Sequence, residues 1–354
     1  MKYRNVKNNN ISILGYGLAK LPNDENEAIS LIEYALNEGI NFFDTGYTYL
    51  NGKSEEILGK TINKIDRKSV YISSKAPVWL YKNEDDFDKI LNDQLNRLNT
   101  TYIDYYFLHG LNYYSWELTK KFNILDKLIQ AKKEGKIKNI GFSFQDNINV
   151  FQDIISSFDF DICMISINML EPDFQMGMEG IKLLNEKNIP IICMQPFLGG
   201  SILDIMNKKY IDLNFKYIWN IKNVISIIPS MTKKEHLIDN ISYANNNISL
   251  DEEDFNLIKD LRKEYQDKKY IKCNECFKCI TNCNVPIPYL FKLYNYYKIT
   301  NDLEKFKEKY LYTIARHGGF NYCCNKCNKC LNNCPNNIDI PSFLEEINEV
   351  TKKI

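Results

Sequence analysis

Most of the eleven cysteines lie in two runs of identical spacing near the end of the chain. Each run reads C-x2-C-x2-C-x3-C, and Pro335 follows the second run directly. The eight cysteines are Cys273, Cys276, Cys279 and Cys283, then Cys324, Cys327, Cys330 and Cys334. This spacing is typical of the thiolate ligands of two 4Fe-4S clusters, in which the fourth cysteine of one run binds the other cluster. The predicted ligand sets are Cys273, Cys276, Cys279 with Cys334, and Cys324, Cys327, Cys330 with Cys283.

Two other uses of these cysteines compete with the cluster hypothesis. A structural zinc site typically has two separated C-x2-C pairs that supply four tetrahedral sulfurs, whereas these thiols come in fours with little chain between them. A disulfide framework needs an oxidising compartment, and the first ten residues contain Lys and Arg but no apolar core typical of a secretion signal. We therefore expect reduced thiols in a cytoplasmic protein.

Polar residues end three short apolar runs in the first third of the chain, namely Asp44, Lys75 and His109, and Tyr49 follows the first of them. The ordinary pKa of a tyrosine hydroxyl is about 10, which makes it a poor acid or base at neutral pH. A neighbouring lysine ammonium favours the phenolate, and an aspartate can hold that lysine in place. His109 could orient a substrate carbonyl or share its proton. Each residue alone is more commonly solvated or structural, but together they predict a general acid for a carbonyl group whose carbon receives a hydride.

The elements that must position these residues alternate between short apolar runs and longer amphipathic ones. Strands are predicted at residues 13–17, 41–44, 70–75, 103–109, 137–143, 161–168, 189–195 and 224–229. A helical segment follows each strand, and the one after the fourth strand is predicted as a single helix over residues 118–134. Eight such units in roughly 235 residues favour a closed (β/α)8 TIM barrel over an open doubly wound sheet, and no G-x-G-x-x-G follows the first strand. In this fold, catalytic side chains lie at the carboxyl ends of the strands, where these polar residues are predicted.

The chain is expected to divide into three parts. These are the barrel at residues 1–250, a charged linking helix at residues 251–269, and a small ferredoxin-like iron–sulfur domain at residues 270–354. Residues 289–297 and 303–312, which lie between the two cysteine runs, have helical patterns. The iron–sulfur domain is therefore expected to be mainly α-helical.

Charge and hydropathy argue against two classes of partner. Lys plus Arg and Asp plus Glu number 45 each, so no net charge favours nucleic acid or an anionic membrane. The longest apolar stretches, at residues 158–170 and 189–198, are too short to span a bilayer. We therefore expect neither nucleic acid nor a membrane as a partner.

Four motifs in the predicted barrel resemble those of a known enzyme family. Residues 44–49 (Asp-Thr-Gly-Tyr-Thr-Tyr), followed by Ser-Glu-Glu at residues 54–56, resemble the signature of the aldo/keto reductases. Residues 104–109 (Asp-Tyr-Tyr-Phe-Leu-His) and 141–143 (Gly-Phe-Ser) fall where later motifs of that family fall. The cysteine-rich tail is similar to that of a branch with a C-terminal dicluster ferredoxin domain.

This resemblance implies specific roles for the four polar residues. Tyr49 would be the proton donor, and Lys75 and Asp44 would lower its pKa. His109 would guide the carbonyl. The hydride would come from NADPH, without a metal or a flavin.

The resemblance also implies where a nicotinamide nucleotide, NADP(H) or NAD(H), would bind. The implied contacts are Ser143, Asn168, Gln195, Ser230, Thr232, Lys233, His236 and Asn240. Ser143 would bond the nicotinamide amide. Asn168 would compensate for Phe144 and Met164, which stand where the family usually has Asn and Gln.

The phosphate end of the nucleotide is expected after the eighth strand. Thr232 and Glu235 predict a capping box, so that a helix N-terminus and Lys233 would face an anion. Asn240 would contact the adenine. His236 stands where many relatives use an arginine for the 2′-phosphate, which leaves the choice between NADP(H) and NAD(H) open.

The substrate is less well defined by the sequence. The aromatic-rich loops at residues 77–82 and 111–117, with Trp79 and Trp116, predict a partly apolar pocket, although a tryptophan at either place is equally consistent with a lid or with core packing.

The leading hypothesis is an NAD(P)H-dependent oxidoreductase that reduces a carbonyl, or oxidises an alcohol, and carries two 4Fe-4S clusters for electron transfer. Clusters pass single electrons whereas nicotinamide passes a hydride, so an electron-transfer protein is a further candidate partner. The alternatives are a cluster-driven reductase that needs no nicotinamide and a nucleotide-binding redox sensor.

Overall fold

The structure is a computed structural model. It describes residues 1–7, 9–198, 210–273, 275, 278–280, 283, 285–316 and 324–352, apart from the side chains of residues 312 and 314–316. The strands in this part of the chain are β1 (Tyr3–Val6), β2 (Asn9–Ser12), β3 (Tyr16–Gly17), β4 (Phe42–Asp44), β5 (Tyr71–Ala76), β6 (Ile103–Leu111), β7 (Ile137–Phe144), β8 (Ile162–Ser166), β9 (Ile191–Met194) and β10 (Val224–Ile228). The α-helices are α1 (Glu25–Asn37), α2 (Lys53–Ile62), α3 (Asp85–Arg97), α4 (Tyr113–Lys121), α5 (Ile124–Lys133), α6 (Ile148–Ser157), α7 (Gly177–Glu186), α8 (Ile211–Trp219), α9 (Lys234–Asn245), α10 (Glu252–Lys268), α11 (Ile287–Thr300), α12 (Leu303–Arg316) and α13 (Ile340–Thr351). None of these helices has the length and apolar character needed to cross a bilayer.

Strands β3 to β10 form one parallel sheet of eight strands that pair in chain order. The sheet closes on itself because Leu14 bridges Ile227 and Gly17 bridges Ser230. This closure requires glycine at position 17, since a Cβ atom there would lie 2.9 Å from the carbonyl oxygen of Ile228. The predicted TIM barrel is confirmed, and each of the eight predicted strands overlaps an observed one.

Alternate residues of the strands face two different apolar layers. Phe42 and Phe107 belong to the layer inside the barrel, whereas Phe43 belongs to the layer between the strands and the surrounding helices. Asp44 and His109 lie two positions after Phe42 and Phe107. They therefore face the interior at the carboxyl end of the barrel.

A hairpin of β1 and β2 closes the opposite, amino-terminal end of the barrel. Val6 and Ile11 are buried in the interior apolar layer. Asn9 Nδ2 donates a hydrogen bond of 2.9 Å to the hydroxyl of Tyr105. No strand is predicted before residue 13, because residues 1–12 are mostly polar and lack a clear alternating pattern.

The helical segment after β6 differs from its prediction. The single helix predicted over residues 118–134 is wrong, because α4 and α5 are separate helices. Asn112 starts α4 early through a capping box with Ser115. Asn123 then takes a left-handed conformation with φ of 51°, which asparagine tolerates and which interrupts the helix.

The tail, meaning residues 251–354, contains a second apolar core. Its buried members are Ile271, Cys279, Val285, Ile287, Leu290, Phe291, Tyr294, Phe306, Cys330, Ile338, Ile340, Leu344 and Ile347. The predicted helical segments at residues 289–297 and 303–312 lie within α11 and α12, while α13 was not predicted. The described residues after position 250 contain helices and no strand. The division into three domains stays a prediction.

A buried ion pair joins the tail to the barrel. Glu171 follows β8, and its Oε1 lies 2.5 Å from Nζ of Lys269, which directly follows α10. Both residues are more than nine-tenths buried. Leu170 and Leu213 of the barrel pack in one apolar cluster with Ile258 of α10. The start of the tail is thus attached at the carboxyl end of the barrel.

Candidate active site

Four polar side chains meet at the carboxyl end of the barrel. Asp44 ends β4, Lys75 lies near the end of β5, and His109 lies near the end of β6. Tyr49 begins a short 3₁₀ turn, Tyr49–Gly52, after β4. The structure thus brings together the residues that the sequence analysis predicts as catalytic, although their roles stay predictions.

Asp44 and Lys75 form a buried ion pair. Nζ of Lys75 lies 2.6 Å from Oδ1 and 2.7 Å from Oδ2 of Asp44, and it donates a further bond of 2.6 Å to the carbonyl of Thr45. Asp44 is 4% exposed and Lys75 is 1% exposed. Ser73 Oγ also donates to Oδ1 of Asp44 at 2.6 Å, a contact that the sequence analysis missed. These bonds hold the ammonium in one place.

The pKa of Lys75 results from two opposing effects. Burial lowers it, because a low-dielectric surrounding disfavours the ammonium. The charge of Asp44, together with charge and hydrogen-bond interactions with Tyr49, raises the pKa of Lys75 above its ordinary value of 10.5. Lys75 is therefore a fixed positive charge at neutral pH.

A chain of rings extends from this ammonium toward the solvent. Nζ of Lys75 lies 4.8 Å from the centroid of the Tyr49 ring. The ring of His109 meets that of Tyr49 edge-on at 5.6 Å, and the ring of Trp79 lies 4.9 Å from that of His109. Trp79 is 40% exposed. A carbonyl group entering between Tyr49 and His109 would meet a phenol and an imidazole together.

The predicted apolar pocket is only partly present. Trp79 lies at the mouth of the barrel, and Tyr113 and Tyr114, the first two residues of α4, are each 65% exposed. Trp116 is fully buried, and its Nε1 donates a bond of 2.6 Å to Asp153. Trp116 thus belongs to the core, which is one of its two predicted places, because the early start of α4 turns this side chain toward α6.

The two residues predicted to hold the nicotinamide differ in which of their side-chain atoms already have a hydrogen-bond partner. Ser143 is 1% exposed, and its Oγ accepts a bond of 2.6 Å from the backbone nitrogen of Gly110. Asn168 is fully buried, and its Oδ1 accepts bonds of 2.9 Å from the backbone nitrogens of Leu170 and Glu171. Among the described residues, Nδ2 of Asn168 has no hydrogen-bond partner. Asn168 thus keeps a buried donor for another group.

Phe144 and Met164 have apolar surroundings. Both are fully buried. Phe144 packs on Phe142 and Phe151 with ring centroids 6.4 and 5.0 Å away, and Met164 belongs to the interior layer of the barrel. These two residues therefore contribute to the core of the fold.

The predicted phosphate site lies at the start of α9. The capping box is wrong: Lys233 is the N-cap, and in this described segment no side chain caps the helix. Thr232 Oγ1 instead lies 3.5 Å from Nδ1 of His236. Ser230, Lys233 and His236 are exposed. The start of α9 thus offers backbone nitrogens and a lysine, but without the predicted cap.

The remaining nucleotide residues lie on both sides of this segment. Asn240 is 8% exposed on α9. A cavity of about 540 Å³, lined in part by Lys233 and Tyr34, lies between α9 and α1. Gln195 is exposed and has φ of 48°, and residues 199–209 lie outside the described residues. All nucleotide contacts stay predictions.

Three members of one predicted set of cluster ligands, Cys283, Cys324 and Cys330, lie in or against the apolar core of the tail. Cys330 is 7% exposed, and burial raises its pKa; a backbone hydrogen bond lowers the pKa, while the charges of Cys283, Cys324 and Cys327 raise it further. These four cysteines are those predicted to bind one cluster. Cys276, of the other set, lies outside the described residues.

The described members of the other set border the same core. Cys279 is buried in it, and Cys273 and Cys334 are partly buried against it. The backbone nitrogen of Glu275 donates to Sγ of Cys273 at 3.4 Å. In the described parts of the chain, no three His, Cys, Asp or Glu side chains form a group that could hold a metal ion. Cluster binding therefore stays a prediction.

Comparisons with known proteins concern the barrel. The profile of the aldo/keto reductase family matches residues 13–215. An uncharacterised oxidoreductase of Bacillus subtilis, YqkF, is 26% identical over 249 residues, which cover 63% of this chain and 77% of that protein. The holo form of an aldo-keto reductase from Bacillus halodurans aligns with a TM-score of 0.65 and 21% identity over 74% of this chain and 96% of that one. An aldo-keto reductase from Klebsiella pneumoniae in complex with NADPH aligns with a TM-score of 0.59 and 18% identity over 74% of this chain and 96% of that one.

Proposed function

Since the chain belongs to the aldo/keto reductase family, we propose that this oxidoreductase reduces a carbonyl compound, or oxidises the corresponding alcohol, with a nicotinamide nucleotide as hydride carrier. The observation that carries the proposal is the buried Asp44–Lys75 pair beside the ring of Tyr49. A fixed ammonium next to a phenol favours proton transfer, because the positive charge stabilises the phenolate that remains when the proton leaves.

Each residue of the site has a distinct role in this proposal. Tyr49 donates its proton to the carbonyl oxygen as that oxygen gains negative charge. Lys75 stabilises the resulting phenolate, and Asp44 holds Lys75 in place. His109, whose ring meets that of Tyr49, holds the carbonyl oxygen within reach of the phenol. When bound, the nicotinamide supplies the hydride to the carbonyl carbon.

The residues around the barrel mouth fit a nicotinamide nucleotide, NADP(H) or NAD(H). The buried Nδ2 of Asn168, which has no partner among the described residues, fits the carbonyl oxygen of the nicotinamide amide, and the hydroxyl of Ser143 lies at the end of the neighbouring strand β7. The nucleotide phosphates and adenosine would bind beyond β9 and β10. The residues for this part are Gln195, Ser230, Thr232, Lys233, His236 and Asn240. The NADPH in the Klebsiella pneumoniae relative supports this assignment.

The change Tyr49→Phe tests the proton donor. It should lower kcat/KM for carbonyl reduction about 10²- to 10⁴-fold, which is the usual contribution of a general acid. Nucleotide affinity, measured by fluorescence titration, should stay within about twofold of the wild type, since phenylalanine keeps the ring. The matched control is Tyr102→Phe, which removes a hydroxyl at the opposite end of the barrel and keeps the ring that lies 4.3 Å from Arg67. Turnover by Tyr49→Phe at the wild-type rate would refute the assignment.

We further propose that the tail binds two 4Fe-4S clusters. The burial of Cys279 and Cys330 in one apolar core, against which Cys283 and Cys324 pack, supports this proposal. Four thiols from two distant segments of the chain provide the donor set that a cubane cluster uses. The other set consists of Cys273, Cys276, Cys279 and Cys334. Bound clusters would supply one-electron transfer, for which an electron-transfer protein is the proposed partner.

The change Cys330→Ser tests the clusters. Iron and acid-labile sulfide are measured on protein that is purified without oxygen, and the variant should lose about half of its iron, because one of two clusters is lost. The control is Cys193→Ser, since Cys193 is equally apolar in its surroundings but lies in β9 of the barrel. Equal iron contents in the two variants, or an iron-free wild type, would refute cluster binding at these cysteines.

A second candidate is a cluster-driven reduction of the substrate without nicotinamide. The buried pair of Glu171 and Lys269 favours it, because this contact places the start of the tail at the carboxyl end of the barrel. Protein reduced with dithionite would then reduce the carbonyl substrate in the absence of nucleotide. Substrate that stays unchanged until NADPH or NADH is added would exclude this candidate and also a purely sensory role.

A further inference from the structure

The loop that carries Tyr49 has an unusual backbone. Directly after Tyr49, Leu50 and Asn51 have φ of 50° and 56°, and Gly52 has φ of 93°. Residues with side chains rarely adopt such left-handed conformations, and a run of three is not stable by itself. Neighbouring groups must therefore hold this loop, and with it the phenol, in place.

Arg97 at the end of α3 provides that support. Its Nη1 donates a bond of 3.2 Å to the carbonyl of Tyr47, and its guanidinium lies 4.3 Å from the centroid of the Tyr47 ring. On the other side of Tyr49, a Cβ atom at Gly52 would lie only 2.6 Å from Nη1 of Arg97. The guanidinium thus contacts the loop both before and after Tyr49.

Glu55 connects this support to the strand that carries Lys75. The Glu55 side chain is fully buried, and its Oε2 lies 3.5 Å from Nη1 of Arg97. Its Oε1 accepts bonds of 2.6 Å from Oγ of Ser74 and 2.7 Å from Nε2 of Gln94. Ser74 is the neighbour of Lys75 in β5. A single carboxylate therefore links the loop of Tyr49 to the strand of Lys75.

Gln94 completes the link from the side of α3. Its Nε2 donates to Oγ of Ser74 at 2.7 Å and to the carbonyl of Lys75 at 3.2 Å, and its Oε1 accepts a bond of 2.6 Å from the hydroxyl of Tyr106. Gln94 is fully buried. The polar atoms of this network contact the backbone on both sides of the Tyr49–Lys75 contact, yet none of them belongs to the four residues of the proposed site.

We propose that Glu55 and Arg97 are positioning residues of the reaction, which hold the loop of Tyr49 against the ammonium of Lys75. This inference rests on the proposed function, in which Tyr49 is the acid. Arg97 fixes the loop through its planar fork of donors. Asp93, whose Oδ2 lies 2.7 Å from Nη2 of Arg97, and Glu55 orient that fork from two sides, and Glu55 ties it to β5. Loss of either should let the phenol move away from Lys75 without removing any group that contacts the substrate.

The change Arg97→Lys tests the inference, because lysine keeps the charge but cannot contact several partners with a planar fork. It should lower kcat about 10- to 100-fold, as expected for a misplaced catalytic group. The alkaline limit of carbonyl reduction should move to higher pH by about 1 unit or more, because a phenol that has lost its neighbouring cation holds its proton more tightly. The dissociation constant of the nucleotide should not change.

The matched control is Arg67→Lys at the opposite end of the barrel. Arg67 also pairs with a buried carboxylate, that of Asp104 at 2.6 Å, and also lies 4.3 Å from a tyrosine ring. A purely structural role predicts similar losses of stability in both variants and no change in the pH profile of either. An Arg97→Lys enzyme with the kcat and pH profile of Arg67→Lys would overturn the inference.

A second variant covers the case in which Arg97→Lys does not fold. In Glu55→Gln, the amide oxygen can keep the bonds from Ser74 and Gln94, while the amide nitrogen faces Arg97 and repels it. The same shift of the alkaline limit is expected, and an unchanged limit counts against the inference. If Tyr49→Phe is inactive while both variants keep the wild-type pH profile, only the positioning role fails. If Tyr49→Phe is fully active, the proposed function itself fails.

Discussion

The change Asp44→Asn would leave the ammonium of Lys75 inside the barrel without its charge partner. Asparagine has the same shape and can still accept the bond from Ser73. In the wild type, Nζ of Lys75 lies 2.6 and 2.7 Å from the two carboxylate oxygens. In the variant, the amide nitrogen of asparagine would replace one of these oxygens and face the ammonium. Removing one partner of a buried ion pair typically costs about 3–5 kcal/mol, because the other charge stays buried and uncompensated. We expect a loss of this size in the free energy of unfolding of the barrel.

The assay is urea denaturation followed by tryptophan fluorescence, with thermal unfolding as a second measure. Trp116 and Trp219 are 0% and 2% exposed within the barrel, so their emission reports its unfolding. For a domain of this size each kcal/mol lowers Tm by about 2–4 °C, so the expected decrease is about 6–20 °C.

The control for this prediction is Asp146→Asn. Asp146 is 6% exposed and accepts bonds of 2.8 and 2.7 Å from the backbone nitrogens of Tyr113 and Asn147, and burial raises its pKa. The ion pairs of the described residues do not include it. Nδ2 of Asn147 also donates to Asp146 at 2.8 Å, so the replacement weakens three hydrogen bonds but isolates no cation, and a cost of about 1–2 kcal/mol is expected. If Asp44→Asn were no more costly than Asp146→Asn, the reasoning about a buried pair at the site would be refuted.

The remaining predictions concern pH and packing. Although burial lowers it, the charge of Asp44 raises the pKa of Lys75 above 10.5, so the stability that this charge contributes is present below pH 10.5 and is lost as the pH rises through the raised pKa. The double variant Asp44→Asn/Lys75→Met should therefore lose less stability above pH 10.5 than the wild type, as measured by urea midpoints; parallel losses would contradict this. Gly59→Ala should destabilise the barrel by about 1–3 kcal/mol, because its Cβ would lie 2.5 Å from the carbonyl oxygen of Arg97, and an equal effect of Lys60→Ala, an exposed neighbour, would disprove the steric cause.

The polar residues of the candidate site could be predicted because simple rules apply to them. A polar residue that ends an apolar strand in a parallel barrel must lie at the carboxyl end, so Asp44, Lys75 and His109 come together whatever the rest of the sequence is. Tyr49 lies a few residues after the first strand end and can hardly be far from it. The proximity of these residues follows from the order of the strands and from the alternation of inward- and outward-facing residues along each strand.

Contacts that depend on side-chain direction could not be predicted in the same way. Thr232 has the residue type and spacing for a cap, yet α9 starts one residue later and Thr232 turns to His236. Trp116 lies in an aromatic loop pattern, but the capping box at Asn112 makes it part of a helix and buries it. In each case a shift of the helix start by one or a few residues changes which way a side chain points.

The support behind Tyr49 shows a different limit. Glu55 and Arg97 are separated by 42 residues, and their contact depends on how α2 and α3 pack. A charged residue near the start of a helix is usually solvated, so the sequence of Glu55 and its neighbours gives no sign that its carboxylate is fully buried. Only the packed structure reveals that it connects the loop to β5.

The attachment of α10 to the loop after β8 has a consequence for engineering this chain. A shortened chain that ended before α10 would expose Leu170 and Leu213 to water and would remove the cation of Lys269 from the carboxylate of Glu171. The barrel of this protein is thus adapted to its own tail. We therefore expect a tail-less barrel, or a chimera with another protein's tail, to be more stable when Leu170 and Leu213 are replaced by polar residues.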